Sequence, residues 1–217
     1  MTFDEFLSLM DTLLGENGCH WDKEQTHESL RKYLLEECYE VIEAINQQST
    51  SSLKEELGDV LLQVVFHAKL AQKAGKFSIE DVIAGVADKL VSRHTHVFDT
   101  DTAYDAQDVI NIWEANKEKE RAANSSALDD IPKALPALVR AEKVLKRSKS
   151  AKPELCTLIS EIKNRLDKLS NVCLQISPNE EFGEILLQMI ALSEVLDINA
   201  EFSLTNATER FINTFTK

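Results

Sequence analysis

Apolar residues recur along nearly the whole chain with the three- and four-residue spacing of amphipathic helices, and no segment shows the sustained alternation of a half-buried strand. The low contents of glycine and proline, 6 and 4 residues, also favour long helices. Capping boxes at Ser52–Glu55 and Ser78–Asp81 indicate two helix starts. We therefore predict an all-α fold with helices at about 3–14, 27–47, 53–74, 79–93, 106–122, 136–148, 154–175, 180–197 and 203–215.

Three segments interrupt this pattern. Residues 16–25 and 94–105 are predicted loops, and the segment NSSALDDIPKALP combines two prolines with a change in composition. This last segment is the best candidate for a domain boundary. It predicts a first helical domain at 1–123, a linker at 124–135 and a second helical domain at 136–217.

The charge balance excludes several classes of protein. The 217 residues include 24 Lys+Arg and 37 Asp+Glu, a net charge of −13, while 43% of residues are hydrophobic. That apolar content predicts a packed core, and the negative charge argues against nucleic acid as a partner. No apolar run reaches the roughly 20 residues of a membrane span. The first residues, MTFDEFLSLMDTLL, lack the basic segment that opens a secretory signal. We therefore expect a cytoplasmic protein without membrane contact.

The cysteines do not form a metal-binding pattern, because no C-x-x-C pair occurs among them. In a protein without an export signal we expect reduced core thiols rather than disulfides. The four residues are Cys19, Cys38, Cys156 and Cys173.

Two pairs of carboxylates flank apolar helix faces. In LRKYLLEECYEVIEAI, Glu37 and Glu40 lie one turn apart, beside a predicted apolar stripe, while Glu36 points further toward solvent. In LKEELGDVLLQVVFHAKLA, Glu56 and Asp59 precede a stretch that is apolar almost all round, which predicts a central and largely buried helix. The predicted stripe of the earlier helix consists of Leu30, Leu34, Cys38, Val41 and Ile45.

These pairs allow two interpretations from spacing alone. Each pair by itself is typical of a solvated helix face. Together, on consecutive helices, they could converge into a cage of four carboxylates that suits Mg²⁺ or Mn²⁺. A di-iron site would need E-x-x-H on core helices, and the only match, Glu24–His27, lies at a loop–helix junction. His67 is more typical of a core histidine.

Basic and aromatic residues offer candidates for binding a phosphorylated substrate. Lys89 and Arg93 share one helix face, and Lys54 precedes Glu56 by two residues. Each would by default be a surface cation. Trp21 and Trp113 are the two tryptophans, and each is either a core residue or a platform on which a base could stack.

The first half of the chain resembles the MazG family of nucleoside-triphosphate pyrophosphohydrolases. The likeness runs through CHWDKEQTHESLRKYLLEECYEVIEAI, LKEELGDVLLQVVFHAKLA, DKLVSRHTHVF and IWEANKEKER, over about residues 3–121. The family signature E-E-x-x-E followed by E-x-x-D corresponds here to Glu36, Glu37, Glu40, Glu56 and Asp59. Two departures, CHWD for CPWD and RHTHVF for RHPHVF, each lose a proline and leave the charged groups in place.

The resemblance implies a role for each site residue. Glu37, Glu40, Glu56 and Asp59 would bind Mg²⁺, and Glu36 would be an accessory ligand or orient the attacking water. Lys89 and Arg93 would contact the triphosphate and Trp113 the base. Trp21 and Lys54 are candidates for substrate binding from their residue type and position, without support from the resemblance. Family members commonly form homodimers.

The implied activity is Mg²⁺-dependent hydrolysis of a ribo- or deoxynucleoside triphosphate to the monophosphate and pyrophosphate, by attack of water at the α-phosphorus. One alternative is a specialised pyrophosphatase for dUTP, dCTP or phosphoribosyl-ATP. Another is a nucleotide-binding regulator without catalysis.

The second half resembles the same family more weakly, beginning at IPKALPALVRAEKVLKRSKS. Its five signature positions are Ser160, Glu161, Asn164, Glu181 and Glu184. Arg210 and Thr214 stand at the positions of the two phosphate-binding cations. Because an acid, a ligand and a cation are replaced, we expect a degenerate MazG-like repeat kept for packing or dimerisation, and a catalytic domain at 1–123.

Overall fold

A computed structural model describes residues 1–122, 128–148, 153–170 and 177–215, and these residues form helices and connecting turns without any strand. The predicted all-α fold class is therefore confirmed. The chain divides into two compact units, Met1–Asn116 and Lys117–Lys217, with the division inside a helix. Of the predicted linker, residues 124–127 lie outside the described residues.

The described helices are eleven in number. The first seven are α1 (Phe3–Leu14), α2 (His20–Glu24), α3 (His27–Asn46), α4 (Thr50–Lys73), α5 (Ile79–Arg93), α6 (Thr95–Phe98) and α7 (Ala106–Ala122). The remaining four are α8 (Ala137–Arg147), α9 (Leu155–Ser170), α10 (Pro178–Val195) and α11 (Ala200–Phe215). The short helices α2 and α6 fall in the segments predicted as loops, since single turns of helix carry too few residues to show periodicity.

Helix starts follow local hydrogen bonding. The box at Ser78–Asp81 is confirmed at the start of α5, where the Ser78 amide donates to Asp81 Oδ2 at 2.8 Å. The box at Ser52–Glu55 is wrong. Ser49 caps α4 instead, because its Oγ accepts from the Ser52 amide at 3.3 Å and lets the intervening residues join the helix.

The core of the first unit surrounds α4, which packs against α1, α3 and α5. The predicted central position of this helix is correct. One side of the helix is nevertheless exposed to solvent, where Leu61 and Val64 are 42% and 38% exposed. The buried core consists of Met10, Leu30, Val65, Phe66, Ala68 and Ile79.

The apolar stripe predicted for α3 is wrong at two of its five residues, Cys38 and Ile45. Leu30 and Ala44 are buried, whereas Cys38 is exposed and Ile45 is 56% exposed. The inward face runs instead through Leu30, Glu37 and Ala44, at seven-residue steps that keep these positions toward α4. Glu37 thus faces the neighbouring helix.

The expectation of core thiols is wrong for two cysteines. Cys38 and Cys156 are exposed because the helical register turns them outward, and Cys19 is partly buried. These three are free thiols, while Cys173 lies outside the described residues.

In the second unit, α10 packs on α8 and α9, and α11 packs on α8. The core side chains include Leu158, Ile162, Ile185 and Ile190. Glu181 is also buried, which is unusual for a carboxylate. Within the described ranges, no helix of either unit is long and apolar enough to cross a membrane.

Candidate metal and nucleotide site

A short turn between α3 and α4 sets the register of the candidate carboxylates. Gln48 adopts a left-handed conformation (φ 54°), and the Ser49 amide donates to the Ala44 carbonyl, which ends α3 and reverses the chain. Glu40 lies six residues before the end of α3, and Glu56 lies six residues after the start of α4. For Glu37 and Asp59 the separation is nine residues in each case. Equal distances from the turn place each pair at the same height in an antiparallel hairpin.

The hairpin brings three of the predicted ligands into one cluster. Carboxylate oxygens of Glu37, Glu56 and Asp59 all lie within 4.8 Å of one another, and the three side chains are partly buried. Glu40 is exposed but shares a hydrogen bond with Glu37. Glu36 is exposed and lies outside this cluster.

Burial and mutual repulsion raise the pKa values of two carboxyl groups in the cluster. Burial, the hydrogen bond with Glu40 and the charges of Asp59, Glu40 and Glu56 raise the pKa of Glu37 to about 7. The pKa of Glu56 is raised too, first by desolvation and then by Glu40, Glu55 and Asp59. In the described part of the chain no lysine or arginine forms an ion pair with these acids. A set made entirely of oxygen donors that repel one another fits a hard divalent cation.

An aromatic pair lies one turn from the cluster. Trp21, which is 50% exposed, contacts Tyr33 edge to face with ring centroids 5.8 Å apart. Tyr33 precedes Glu37 by four residues on α3, so both side chains extend from the same face. Lys54, also predicted to bind substrate, is exposed near the start of α4.

A second group joins α5, α6 and α7. The Arg93 guanidinium lies over the Trp113 ring at 5.4 Å from its centroid, and His94 contacts the same ring edge to face at 4.8 Å. Buried Asn116 donates to Thr95 Oγ1 at 2.9 Å and fixes α7 against α6. The structure therefore pairs two predicted substrate-binding residues, Arg93 and Trp113, while Lys89 is exposed one turn earlier.

Two histidines form a direct hydrogen bond between α3 and α4. Nδ1 of His27 lies 2.8 Å from Nδ1 of His67, and the ring planes differ by 1°. The centroid separation of 5.1 Å equals this contact plus two ring radii, so the rings lie end to end in one plane. One ring donates and the other accepts, which excludes protonation of both Nδ1 atoms within the bond. Sequence reasoning missed the pair because its members are 40 residues apart.

This bond predicts a loss of stability in acid. Burial and the neighbouring His27 lower the pKa of His67. A lowered folded-state pKa means that stability is complete well above the unfolded value of 6.5 and is lost as the pH falls below it. We expect the melting temperature of the wild type to fall more steeply between pH 7.5 and 5.5 than that of His67→Phe.

The raised pKa of Glu37 works in the opposite direction over part of this range, but both proteins retain Glu37, so its effect cancels in the comparison. His20→Phe, at an exposed position, serves as the matched control and should follow the wild type. Parallel pH profiles for wild type and His67→Phe would contradict the prediction.

Comparison with known proteins identifies the family. The model of the MazG nucleotide pyrophosphohydrolase domain matches residues 25–98. Nucleoside triphosphate pyrophosphohydrolase/pyrophosphatase MazG of Thermotoga maritima is 40% identical over 99% of this chain and 84% of its own length. Nucleoside triphosphate pyrophosphohydrolase of Escherichia coli K12 is 41% identical over 98% and 85%. A solved mazG-related protein from Thermotoga maritima covers 53% of this chain and 98% of its own, with 26% identity and a TM-score of 0.46.

Fold and site together define an all-α protein with a carboxylate cluster on a helical hairpin. The chain belongs to the MazG family of nucleotide pyrophosphohydrolases. The predicted resemblance is thus confirmed. The matched segment contains all five signature acids together with Lys89 and Arg93, while Trp21 and Trp113 lie outside it.

Proposed function

We propose that this chain is a Mg²⁺-dependent hydrolase that converts nucleoside triphosphates to monophosphates and pyrophosphate. The observation that carries the proposal is the convergence of Glu37, Glu56 and Asp59 on one hairpin, with Glu40 next to Glu37 and with raised pKa values for Glu37 and Glu56 that a bound cation would lower. The names of the relatives, nucleoside triphosphate pyrophosphohydrolases, support the reaction class.

The four carboxylates would hold the metal ion. When bound there, Mg²⁺ would polarise the phosphate chain and lower the pKa of a coordinated water. Water attacks the α-phosphorus, the bond from the α-phosphorus to the bridging oxygen breaks, and pyrophosphate leaves. Glu36, exposed beside the cluster, would orient that water and receive its proton.

The α5–α7 group would bind the remainder of the nucleotide. Lys89 and Arg93 project from one face of α5 and would neutralise the β- and γ-phosphates. Trp113 would stack on the base. Because Arg93 covers one face of the Trp113 ring, the base would use the other face, or Arg93 would leave the ring when it engages phosphate.

An assay of pyrophosphate release across ribo- and deoxynucleoside triphosphates tests this function. We expect Mg²⁺-dependent release from several bases and none in the presence of chelator, because the metal supplies the polarisation. Turnover of a single triphosphate would favour a specialised pyrophosphatase. Calorimetric binding of triphosphates without any release of pyrophosphate would overturn the proposal in favour of a regulator.

We further propose that a second copy of the chain covers α5, as in a homodimer. In the described structure of this 15-residue helix, only Ile79 is buried. Ile83, Val86 and Leu90 are 47%, 52% and 45% exposed at helical spacing. A short helix with so little packing is marginal alone, and a facing apolar surface would stabilise it. Leu61 and Val64 of α4 are further exposed apolar side chains in the same unit.

Val86→Glu should therefore shift the protein from dimer to monomer. A charge placed in a buried apolar interface is costly because it loses its hydration. Sedimentation velocity would measure the change, with Ala84→Glu, on the opposite side of α5, as the matched control. A wild-type protein that sediments as a monomer at micromolar concentration would rule out the dimer.

A further inference from the structure

The second unit contains a buried carboxylate with a specific cationic partner. Glu181, at the start of α10, is 3% exposed, and its Oε1 lies 3.0 Å from Nη1 of Arg165 on α9. The second terminal nitrogen, Nη2, lies 3.5 Å from Oε2 of Glu184, one turn along α10. One guanidinium group therefore bridges two carboxylates spaced three residues apart.

These two carboxylates occupy the positions that match the metal-binding pair of the first unit. Glu181 and Glu184 correspond to Glu56 and Asp59 in the signature, and both pairs are spaced E-x-x-acid. Arg165 immediately follows Asn164, which replaces the acid that corresponds to Glu40. In the second unit, the loss of a carboxylate at Asn164 is thus next to the gain of a positive charge at Arg165.

The remaining acid of the second set also has a partner from its own unit. Glu161, which corresponds to Glu37, accepts a hydrogen bond from Nε2 of Gln188 at 3.4 Å. In the first unit, by contrast, the described acids of the cluster form no ion pair with a lysine or arginine, and burial together with the neighbouring carboxylates raises the pKa of Glu37. The second unit therefore gives its carboxylates partners of opposite charge or hydrogen-bond donors, whereas the corresponding acids of the first unit lie against one another.

A guanidinium group can take the place of a divalent metal ion between these carboxylates for two physical reasons. It is always charged, and its planar set of donors can engage two carboxylates at once. Burial of Glu181 without a partner would be costly, so Arg165 would have to be displaced before a metal ion could reach that carboxylate. Displacement would also leave the guanidinium, itself 28% exposed, without its buried partner.

We propose that Arg165 is an internal counterion that takes the place of the divalent cation in the second unit. The second carboxylate set is then a structural site that needs no metal ion, and it binds neither a metal ion nor a metal-chelated phosphate. All metal dependence of the chain falls on the first unit. This inference goes beyond the proposed activity, and it needs that activity only for the identity of the first site.

Manganese binding, followed by electron paramagnetic resonance on the full-length chain, tests the proposal. Asp59→Ala removes the first site, and we expect it to lose Mn²⁺ binding at concentrations that saturate the wild type. In that background, Asn164→Glu together with Arg165→Met restores the missing acid and removes the internal cation. We expect this triple variant to regain Mn²⁺ binding at least about tenfold tighter than Asp59→Ala, a factor that corresponds to about 1.4 kcal/mol.

Thermal unfolding supplies a second measurement. Arg165→Met should lower the melting temperature without metal, whereas Arg165→Met combined with Glu181→Leu should recover most of the loss, because no buried charge then lacks a partner. If Arg165→Met does not fold, the double variant carries the stability test in its place: it should fold and melt near the temperature of the wild type, because neither charge is then left without its partner.

Two results would overturn the proposal. One is Mn²⁺ binding by Asp59→Ala that Glu181→Gln abolishes, because the second site would then accept metal with Arg165 in place. The other is an unchanged melting temperature for Arg165→Met. Both are independent of turnover, so a failure of the proposed hydrolase function would show in the pyrophosphate assay and leave these results intact.

Discussion

Asp59→Ala is expected to lower the rate of pyrophosphate release by at least about 10³-fold, because metal polarisation contributes several kcal/mol and each 1.36 kcal/mol is a factor of ten. Asp59 is the member of α4 whose distance from the turn matches that of Glu37, and its carboxylate lies within the 4.8 Å cluster. Without Asp59, only Glu56 remains on α4 to bind the metal ion. Steady-state assays at saturating Mg²⁺ would measure the effect.

Glu43→Ala is the matched control for this prediction. Glu43 is an exposed acid on α3 whose Oε1 accepts a hydrogen bond from Gln47, and it lies one turn beyond Glu40. Removal of this charge changes the net charge of the chain by the same amount but leaves the cluster complete. We expect activity within about twofold of the wild type, since isolated surface charges contribute little. Full activity in Asp59→Ala would show that the cluster is not the catalytic metal site.

The sequence predicted those features of the fold that depend on neighbours along the chain. Helix periodicity located α1 and α7 to the residue, and the capping box of α5 was evident from Ser78 and Asp81. At α4, two serines three residues apart were both able to cap, and sequence alone could not show that Ser49 does so. Local rules fail where two similar local solutions compete.

The candidate site was predictable for a similar reason. Acids on consecutive helices can meet when they lie at equal distances from a short connecting turn, and the turn at 47–49 is three residues long. Contacts between distant residues were not predictable. The bond from His27 to His67 and the ion pair from Arg165 to Glu181 depend on how helices rotate against each other, which side-chain packing decides. An arginine on a helix is by default a surface residue, so Arg165 gave no signal in the sequence.

The same rotation explains why Cys38 and Ile45 are exposed although their spacing is that of a core stripe. Several residues of α3 and α4 are apolar on a face that the first unit itself does not cover. A sequence pattern records every apolar face, including those that a partner copy buries. The proposed dimer covers the exposed apolar residues of α5, and the Val86→Glu variant tests it.

Glu37→Gln is expected to have two opposite effects: a loss of at least about 10²-fold in activity, as for removal of a group that stabilises developing charge, and a gain in the stability of the metal-free protein at pH 8. The pKa of Glu37 is raised to about 7 from an ordinary value of 4.5, so the folded state binds more protons than the unfolded state between these values. Stability therefore falls as the pH rises from 4.5 to 7 and has lost this contribution above 7. Glutamine is neutral throughout and avoids the loss.

The gain should be small at pH 5, increase toward pH 7 and remain constant above it, with a size on the order of 1 kcal/mol after allowance for solvent screening of a partly exposed group. Urea unfolding in the presence of chelator would measure it at pH 5 and pH 8, with Glu43→Gln as the control. Added Mg²⁺ should stabilise the wild type at pH 8 and leave Glu37→Gln nearly unchanged.

The combination of these two effects distinguishes a metal site from a solvated helix face. On a solvated face, Glu37→Gln would alter neither the pH dependence of stability nor catalysis. In a core position without a functional role, it would alter stability alone. Carboxylates that bind a cation repel one another when the cation is absent. The same carboxylate therefore destabilises the metal-free protein and supports the reaction once the metal is bound. A stability gain that is equal at pH 5 and pH 8 would remove the electrostatic argument for the site, whatever the activity of the variant.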